Sequence, residues 1–321
     1  MNATDPPVEL APPDITPFRR GNTGTEFATT YDSGVRGPHA LINALMHGNE
    51  LGGAIALDFL HRSIRPRRGH ITLVHANVAA FARFDPRHPA RSRFVEEDMN
   101  RVWDDAILDG PRRGVELDRA RALRPLYAQA DALLDLHSMQ LPGPPLLLCG
   151  RAGRARRLAR ELGWPGWVVA DGGHVAGPRL IDYRPFAAPE EHRTAVLLEC
   201  GQHWARASAL AAIEGSLRFL VQQGVIDAED AAPHLPAGLS GADVPRRFVE
   251  ITEVVTAGAE PFTWTRGFES LELVAAPGTV IGHDGGRPIA TPYPDCVLLM
   301  PARQPHPGQT AVRLGRLAGT P

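Results

Sequence analysis

The sequence predicts an α/β protein whose last third is a small all-β domain. Three observations carry this. Up to about residue 222, short apolar runs alternate with segments of helical periodicity, the signature of strands joined by crossover helices. From 224 to 245 the chain turns Asp-, Ala- and Pro-rich and reads as a linker. Beyond it come short strand-like runs between Gly and Pro turns, with no helical pattern. The expected domains are residues 1–230 and 240–321.

Residues 1–36 lack periodicity and read as an extended arm with room for one strand. His39 to Leu45 is a buried strand and Leu51 to Leu60 a helix, with Gly48 expected to permit the sharp turn between them. Ile71 to Val74 is a second strand, after a basic turn at 65–68. The connection over 78–114 carries Pro86, Pro89, Pro111 and many charges; connections this long in compact domains tend to be functional. Val115 to Ala130 is helical, with Pro125 expected to kink it. Strands are expected at Ala132 to His137, Leu146 to Cys149, Trp167 to Val169 and Ala195 to Leu198. Arg154 to Leu162 is a short basic helix, and 171–193 a Gly- and Pro-rich loop. Trp204 to Val221 is amphipathic, with Leu210, Ile213, Leu217 and Leu220 on one face. The last third shows strands near 248–255, 271–274, 280–281 and 297–300.

Composition narrows the function. A net charge of −2 lacks the basic excess of a nucleic-acid binder, and no apolar run is long enough to span a membrane. Asp5, Pro6, Pro7 and Glu9 stand where a signal peptide needs an apolar core, and the three cysteines are scattered. Both features point to a cytoplasmic protein. All 34 basic residues are arginine. Without lysine, Schiff-base chemistry, pyridoxal-phosphate catalysis and Walker-type phosphate loops are excluded.

The chemistry gathers where strands end. His47 with Glu50, His137 and Glu199 each follow or close an apolar strand, and open α/β sheets bind ligands at those ends. Two histidines and a glutamate form a three-ligand zinc set that keeps a position for water. Alone, the His-x-x-Glu spacing also fits a surface histidine beside a helix-start carboxylate. Asp135 points the same way as His137 and either orients that ligand or caps the strand.

Four motifs then resemble the succinylglutamate desuccinylase/aspartoacylase family, relatives of the zinc carboxypeptidases. They are His47-Gly48-Asn49-Glu50, Asp98-Met99-Asn100-Arg101 with Arg93 seven residues before the asparagine, Asp135-Leu136-His137, and Glu199-Cys200-Gly201. Their order and spacing agree over residues 40–205. The resemblance implies a carboxypeptidase-like α/β/α sandwich with a mixed central sheet and a small C-terminal β domain covering the active site. It implies an amidohydrolase that cleaves a small N-acyl amino acid with one Zn²⁺ per chain. His47, Glu50 and His137 would hold zinc, and Glu199 would be the general base. Arg93 would stabilise the oxyanion, Asn100 and Arg101 would clamp a carboxylate, and Asp98 and Asp135 would support the ligands. Without the motifs, Arg93 and Arg101 would read as two surface arginines among 34.

The chain also departs from the family. The aspartoacylase branch has an arginine and a tyrosine shortly before the catalytic glutamate, where this chain has Pro189; Tyr183, Arg184 and Arg193 are the nearby substitutes. Tyr293 is the candidate for the family's tyrosine lid. Rival readings are a zinc carboxypeptidase acting on peptides, a Cys200/His203 nucleophile, and a metal-binding homologue without activity. Homo-oligomerisation stays open.

Overall fold

The structure, a computed structural model, describes residues 6–174, 176–235 and 246–319. Its strands are β1 (Ala28–Asp32), β2 (His39–Ala44), β3 (His70–His75), β4 (Ala132–Met139), β5 (Leu146–Cys149), β6 (Trp167–Ala170) and β7 (Thr194–Gln202). After the linker come β8 (Arg247–Thr256), β9 (Phe262–Trp264), β10 (Glu272–Val274), β11 (Val280–Asp284), β12 (Arg287–Ala290), β13 (Cys296–Leu299) and β14 (Thr310–Ala318). Eleven strands form one mixed sheet in the order β1-β3-β2-β4-β7-β5-β6-β8-β14-β13-β10. Its centre, β3-β2-β4-β7, is parallel, whereas β1 and β5 run antiparallel to their neighbours β3 and β7.

The helices Leu51–Ser63, Gly153–Glu161 and Arg206–Gln222 pack on one face with Ile42, Leu134, Leu136, Val196 and Leu198. The Val115–Tyr127 helix and its connecting loops cover the other, against Leu41, Leu133 and Leu197. The α/β/α expectation therefore holds. With both faces covered, all eight residues of β4 are buried, so the strand reads as a continuous apolar run. By parity Asp135, His137 and Glu199 share the second face with Leu133 and Leu197.

Several local expectations change. Gly48 is required by a close approach: a Cβ there would lie 2.3 Å from Phe81 N and 2.5 Å from the Ser92 carbonyl oxygen. The left-handed residue of the turn is Leu45, at φ 60°. Pro125 lies in the last turn, and the helix runs on to Tyr127. On the Arg206–Gln222 helix Leu210 is 62% exposed, because the packed stripe is built from Ala209, Ala212, Gly215 and Ser216 together with Leu217 and Leu220. Those small residues let the helix sit close; at Gly215 a Cβ would come within 2.2 Å of Leu198. The linker contains short helical turns at Ala228–Ala231 and Ala232–His234, and its residues 236–245 lie outside the described ones.

The C-terminal third is all-β among its described residues, and most of it continues the main sheet. Parallel pairing of β6 with β8, Trp167↔Arg247 to Ala170↔Glu250, joins the two regions. Only β9, β11 and β12 form a separate, antiparallel sheet. Strands β9, β12 and β14 had no clear sequence signal: β9 is only three residues long, and β12 and β14 mix charged or turn-forming residues into the run.

Candidate metal centre and active site

The centre is assembled from three places. The turn after β2 delivers His47, and Glu50 stands at the N-terminus of the Leu51–Ser63 helix, where a carboxylate is favoured by the helix dipole. The C-terminal end of β4 delivers His137, and β7 delivers Glu199 directly beside it in register. One ligand atom each from His47, Glu50 and His137 lies within 4.8 Å of the others, and all three residues are buried.

The nitrogens turned inward are the Nδ1 atoms: His47 Nδ1 is 2.7 Å from Glu50 Oε1, and His137 Nδ1 is 3.1 Å from Glu50 Oε2. The outer nitrogens meet aspartates. His47 Nε2 is 2.9 Å from Asp98 Oδ1, and His137 Nε2 is 3.0 Å from Asp135 Oδ2. A carboxylate on Nε2 places the proton there and leaves Nδ1 as a lone-pair donor, the arrangement a metal-binding imidazole needs. Arg93 Nη2 also lies 2.8 Å from His47 Nε2; we assign the imidazole proton to Asp98, with the guanidinium paired to the other oxygen of Asp98 at 3.2 Å.

The residues fit a divalent cation on one further observation. Glu50 Oε2 is buried and makes no hydrogen bond although His137 Nδ1 lies 3.1 Å away, so the two atoms face a common point without hydrogen-bond geometry between them. Burial by itself would raise the Glu50 carboxyl and lower the His137 imidazole. Neighbouring charges reverse both: His47 and His137 hold Glu50 well below the carboxylate range, and Asp135 and Glu50 hold His137 well above the usual imidazole value.

Glu199 is buried and its Oε2 has no hydrogen-bond partner. Burial first, and the Glu50 charge beside it, push its carboxyl up to about 8. The expectation that it stays ionised near neutrality therefore does not hold for the metal-free chain; a divalent cation at the adjacent ligands would lower it. Glu199 also lies inside β7, which runs four residues further than the sequence suggested.

Two buried networks fix this geometry. Asn43 on β2 donates to Asp135 Oδ1 at 2.7 Å and accepts from the Tyr127 hydroxyl at 2.7 Å. Asn100 Oδ1 accepts from the Leu180 backbone N–H at 2.8 Å, and its Nδ2 lies 3.4 Å from His137 Nε2. Asn100 thus ties the Asp98 motif to the 171–193 loop.

A cavity of about 240 Å³ opens over the centre. His47, Glu50, Arg93, Asn100, Arg101, His137 and Glu199 all line it. The structure does not bring the remaining candidates there. Tyr183 is buried in the core, its hydroxyl accepting from Arg124 and donating to Asp105, because its ring packs beside Trp103. Arg184 is exposed and pairs with Glu190 at 3.5 Å. Arg193 bonds Glu191 instead. Tyr293 bonds Thr252 at 2.6 Å under the Arg316 guanidinium, inside the C-terminal core. Asp98 and Asp135 stand behind the ligands, outside the lining.

Residues that sequence reasoning missed take those places. Arg179 and Arg313 line the cavity, as do Asp171 and His174, with Ser270, Leu299 and Met300 from the C-terminal region. The Cys200/His203 dyad is not formed: the Cys200 thiol is pushed well up by burial, and its nearest partner is the Leu198 carbonyl. His203 Nδ1 instead meets the Ser138 hydroxyl at 2.7 Å.

Comparison with known proteins finds a family match over part of the chain and a shared fold over most of it. A family model described as the succinylglutamate desuccinylase/aspartoacylase catalytic domain matches residues 36–160. The family resemblance is borne out. The matched segment contains His47, Glu50, Arg93, Asn100, Arg101 and His137; Glu199 lies beyond it. Solved structures share the fold over nearly the whole chain. A succinylglutamate desuccinylase/aspartoacylase from Rhodobacter sphaeroides is 18% identical with TM-score 0.67, covering 91% of this chain and 89% of its own. A succinylglutamate desuccinylase from Vibrio cholerae is 19% identical with TM-score 0.67, covering 91% and 86%. The product-bound ectoine utilization protein EutE (DoeB) from Ruegeria pomeroyi is 18% identical with TM-score 0.66, covering 90% and 88%. No curated protein matches.

Proposed function

We propose that this chain is a zinc-dependent amidohydrolase that cleaves an N-acyl amino acid into a carboxylic acid and an amine. The observation that carries the reading is the pairing, across β4 and β7, of a buried His-Glu-His ligand set with an unpartnered carboxylate, Glu199. His47, Glu50 and His137 would hold the ion through two Nδ1 atoms and a carboxylate oxygen. A bound zinc ion supplies Lewis acidity, polarising the amide carbonyl and bringing the pKa of water toward about 7. Glu199 accepts the proton of the attacking water and later gives it to the departing amine nitrogen, work within a carboxylate's reach at near-neutral pH. Arg93, half-exposed beside Glu50 and Asp98, would stabilise the negative charge that develops on the carbonyl oxygen. Arg101 offers a planar fork to the substrate carboxylate.

The cavity volume and its C-terminal wall support a small substrate over a peptide. No helix among the described residues is long and apolar enough to cross a membrane. The three cysteines are free and buried, in keeping with a reducing cytoplasm.

Metal analysis of the purified wild-type and His137→Ala proteins tests the ligand set. One zinc per wild-type chain and a clear loss in the variant are expected. Equal zinc in both would remove His137 from the set.

A further inference from the structure

The cavity has a cationic corner, and its arginines differ in how fully they are paired. Arg179 is the most fully paired, with Nε and Nη2 bonded to Asp182 at 2.7 and 3.1 Å and Nη1 bonded to Asp171 at 3.1 Å. Arg101 gives Nη1 to the Asn100 carbonyl and comes no closer than 3.7 Å to Asp98, a carboxylate already paired with Arg93. Arg313, on β14, has one carboxylate neighbour, the Asp171 oxygen that Arg179 also uses, at 3.2 Å. That approach is out of line, and the buried Nε makes no hydrogen bond. Its side chain is only 11% exposed, and Leu299, its ladder partner on β13, lines the same wall.

A buried guanidinium with donors left over is costly unless an anion completes it. The surroundings supply only Asp171, already bonded to Arg179, in contact with Arg313 among the described residues. They add positive charge: burial first, then Arg101, Arg313 and Arg179, hold the nearby His174 imidazole down to about 4. An anion entering the cavity therefore meets two under-paired forks on one side and the metal ligands on the other.

We propose that Arg313 is a specificity residue, which together with Arg101 holds the single carboxylate of the substrate amino acid. Arg179, held between Asp171 and Asp182, serves to place Asp171. The C-terminal β region thereby supplies part of the substrate grip. The inference rests on the amidohydrolase reading for the identity of the substrate, and it concerns binding away from the reacting atoms.

The test compares zinc-loaded wild type and Arg313→Gln on N-acetyl-methionine and on N-acetyl-methionine amide, which lacks the carboxylate. For the acid, KM is expected to rise about 10- to 100-fold in the variant with kcat little changed, the scale of lost charge-assisted hydrogen bonds. For the amide the two proteins are expected to be equal. An equal loss on both compounds, or no loss on the acid, overturns the proposal. Arg313→Lys, which keeps the charge in the same wall, serves the same comparison where the glutamine variant does not fold. Calorimetric titration of both proteins with the two compounds reads binding without turnover. If the wild type hydrolyses no N-acyl amino acid, the amidohydrolase reading fails. The titration still decides Arg313: tighter binding of acid than amide, lost in the variant, supports its role, and no difference refutes it.

Discussion

Each histidine of the centre has one nitrogen turned to the cluster and the other held by an aspartate, so neither ring can rotate without breaking a charge-assisted bond. The same economy governs the arginines, whose roles follow from what each already bonds. Arg101→Lys keeps the charge and loses the fork. It is expected to weaken kcat/KM for carboxylate-bearing substrates by roughly 1.5–3 kcal/mol. Amidated substrates turned over as fast as free acids by the wild type would show that Arg101 reads no carboxylate. At this scale the residues that the structure gathers at the centre, His47, Glu50, His137 and Glu199, were legible in the sequence as candidates, because they stand at the ends of apolar strands within four motifs in order. Arg179 and Arg313 were not. Neither carries a local pattern, and Asp171, the carboxylate they share, is brought to Arg313 only by the docking of β14. Tyr183 and Tyr293 misled because a tyrosine near a motif looks functional, whereas both hydroxyls are satisfied inside cores.

The connection between β3 and β4 is the element on which the centre depends most. Its length marked it as functional, and the reason it holds one shape is Glu116, in the first turn of the Val115–Tyr127 helix. That buried carboxylate accepts from Val95 N at 2.6 Å and from Asn77 Nδ2 at 3.0 Å through Oε1, and from Glu96 N at 3.1 Å through Oε2. The segment so pinned follows Arg93, whose carbonyl accepts from Gly48 N at 3.0 Å, so loop and ligand turn are locked together. Glu116→Ala leaves several buried donors unmatched. A loss of about 2–4 kcal/mol in chemical denaturation is expected, with kcat/KM falling although the residue is outside the cavity. Unchanged stability would mean the loop is held by other contacts. The sequence showed Glu116 only as one acidic residue at a helix start.

For the whole molecule, strand and helix alternation gave the α/β class because both faces of the sheet are covered and its strands are apolar throughout. The seam between β6 and β8 was invisible: parallel pairing of four residues with a segment far along the chain leaves no periodic trace. Nor did the arm reveal its anchor. Phe18 stacks on His61 at 3.9 Å, and His61 and His75 lie parallel at 5.7 Å beneath it. Burial holds His61 down to about 4 and His75 to about 3, so the folded chain binds fewer protons than the unfolded one below pH 6.5. Their contribution is present above that value and is lost as pH falls from 6.5 toward 4. His75 makes no hydrogen bond through either ring nitrogen, so His75→Phe removes a titrating group without orphaning a partner. Denaturation at pH 7 and pH 5 is expected to show a smaller acid loss in that variant. An acid loss equal to wild type would exclude His75 as a cause.

Catalysis by a carboxylate that is not a ligand is the claim on which everything else converges, and turnover of the zinc-loaded Glu199→Gln protein tests it most directly. Glutamine is nearly isosteric and cannot accept the proton. With zinc content and fold verified as equal to wild type, kcat is expected to drop by about two to four orders of magnitude. Near-wild-type turnover at full zinc would contradict the assignment and leave the centre without its base.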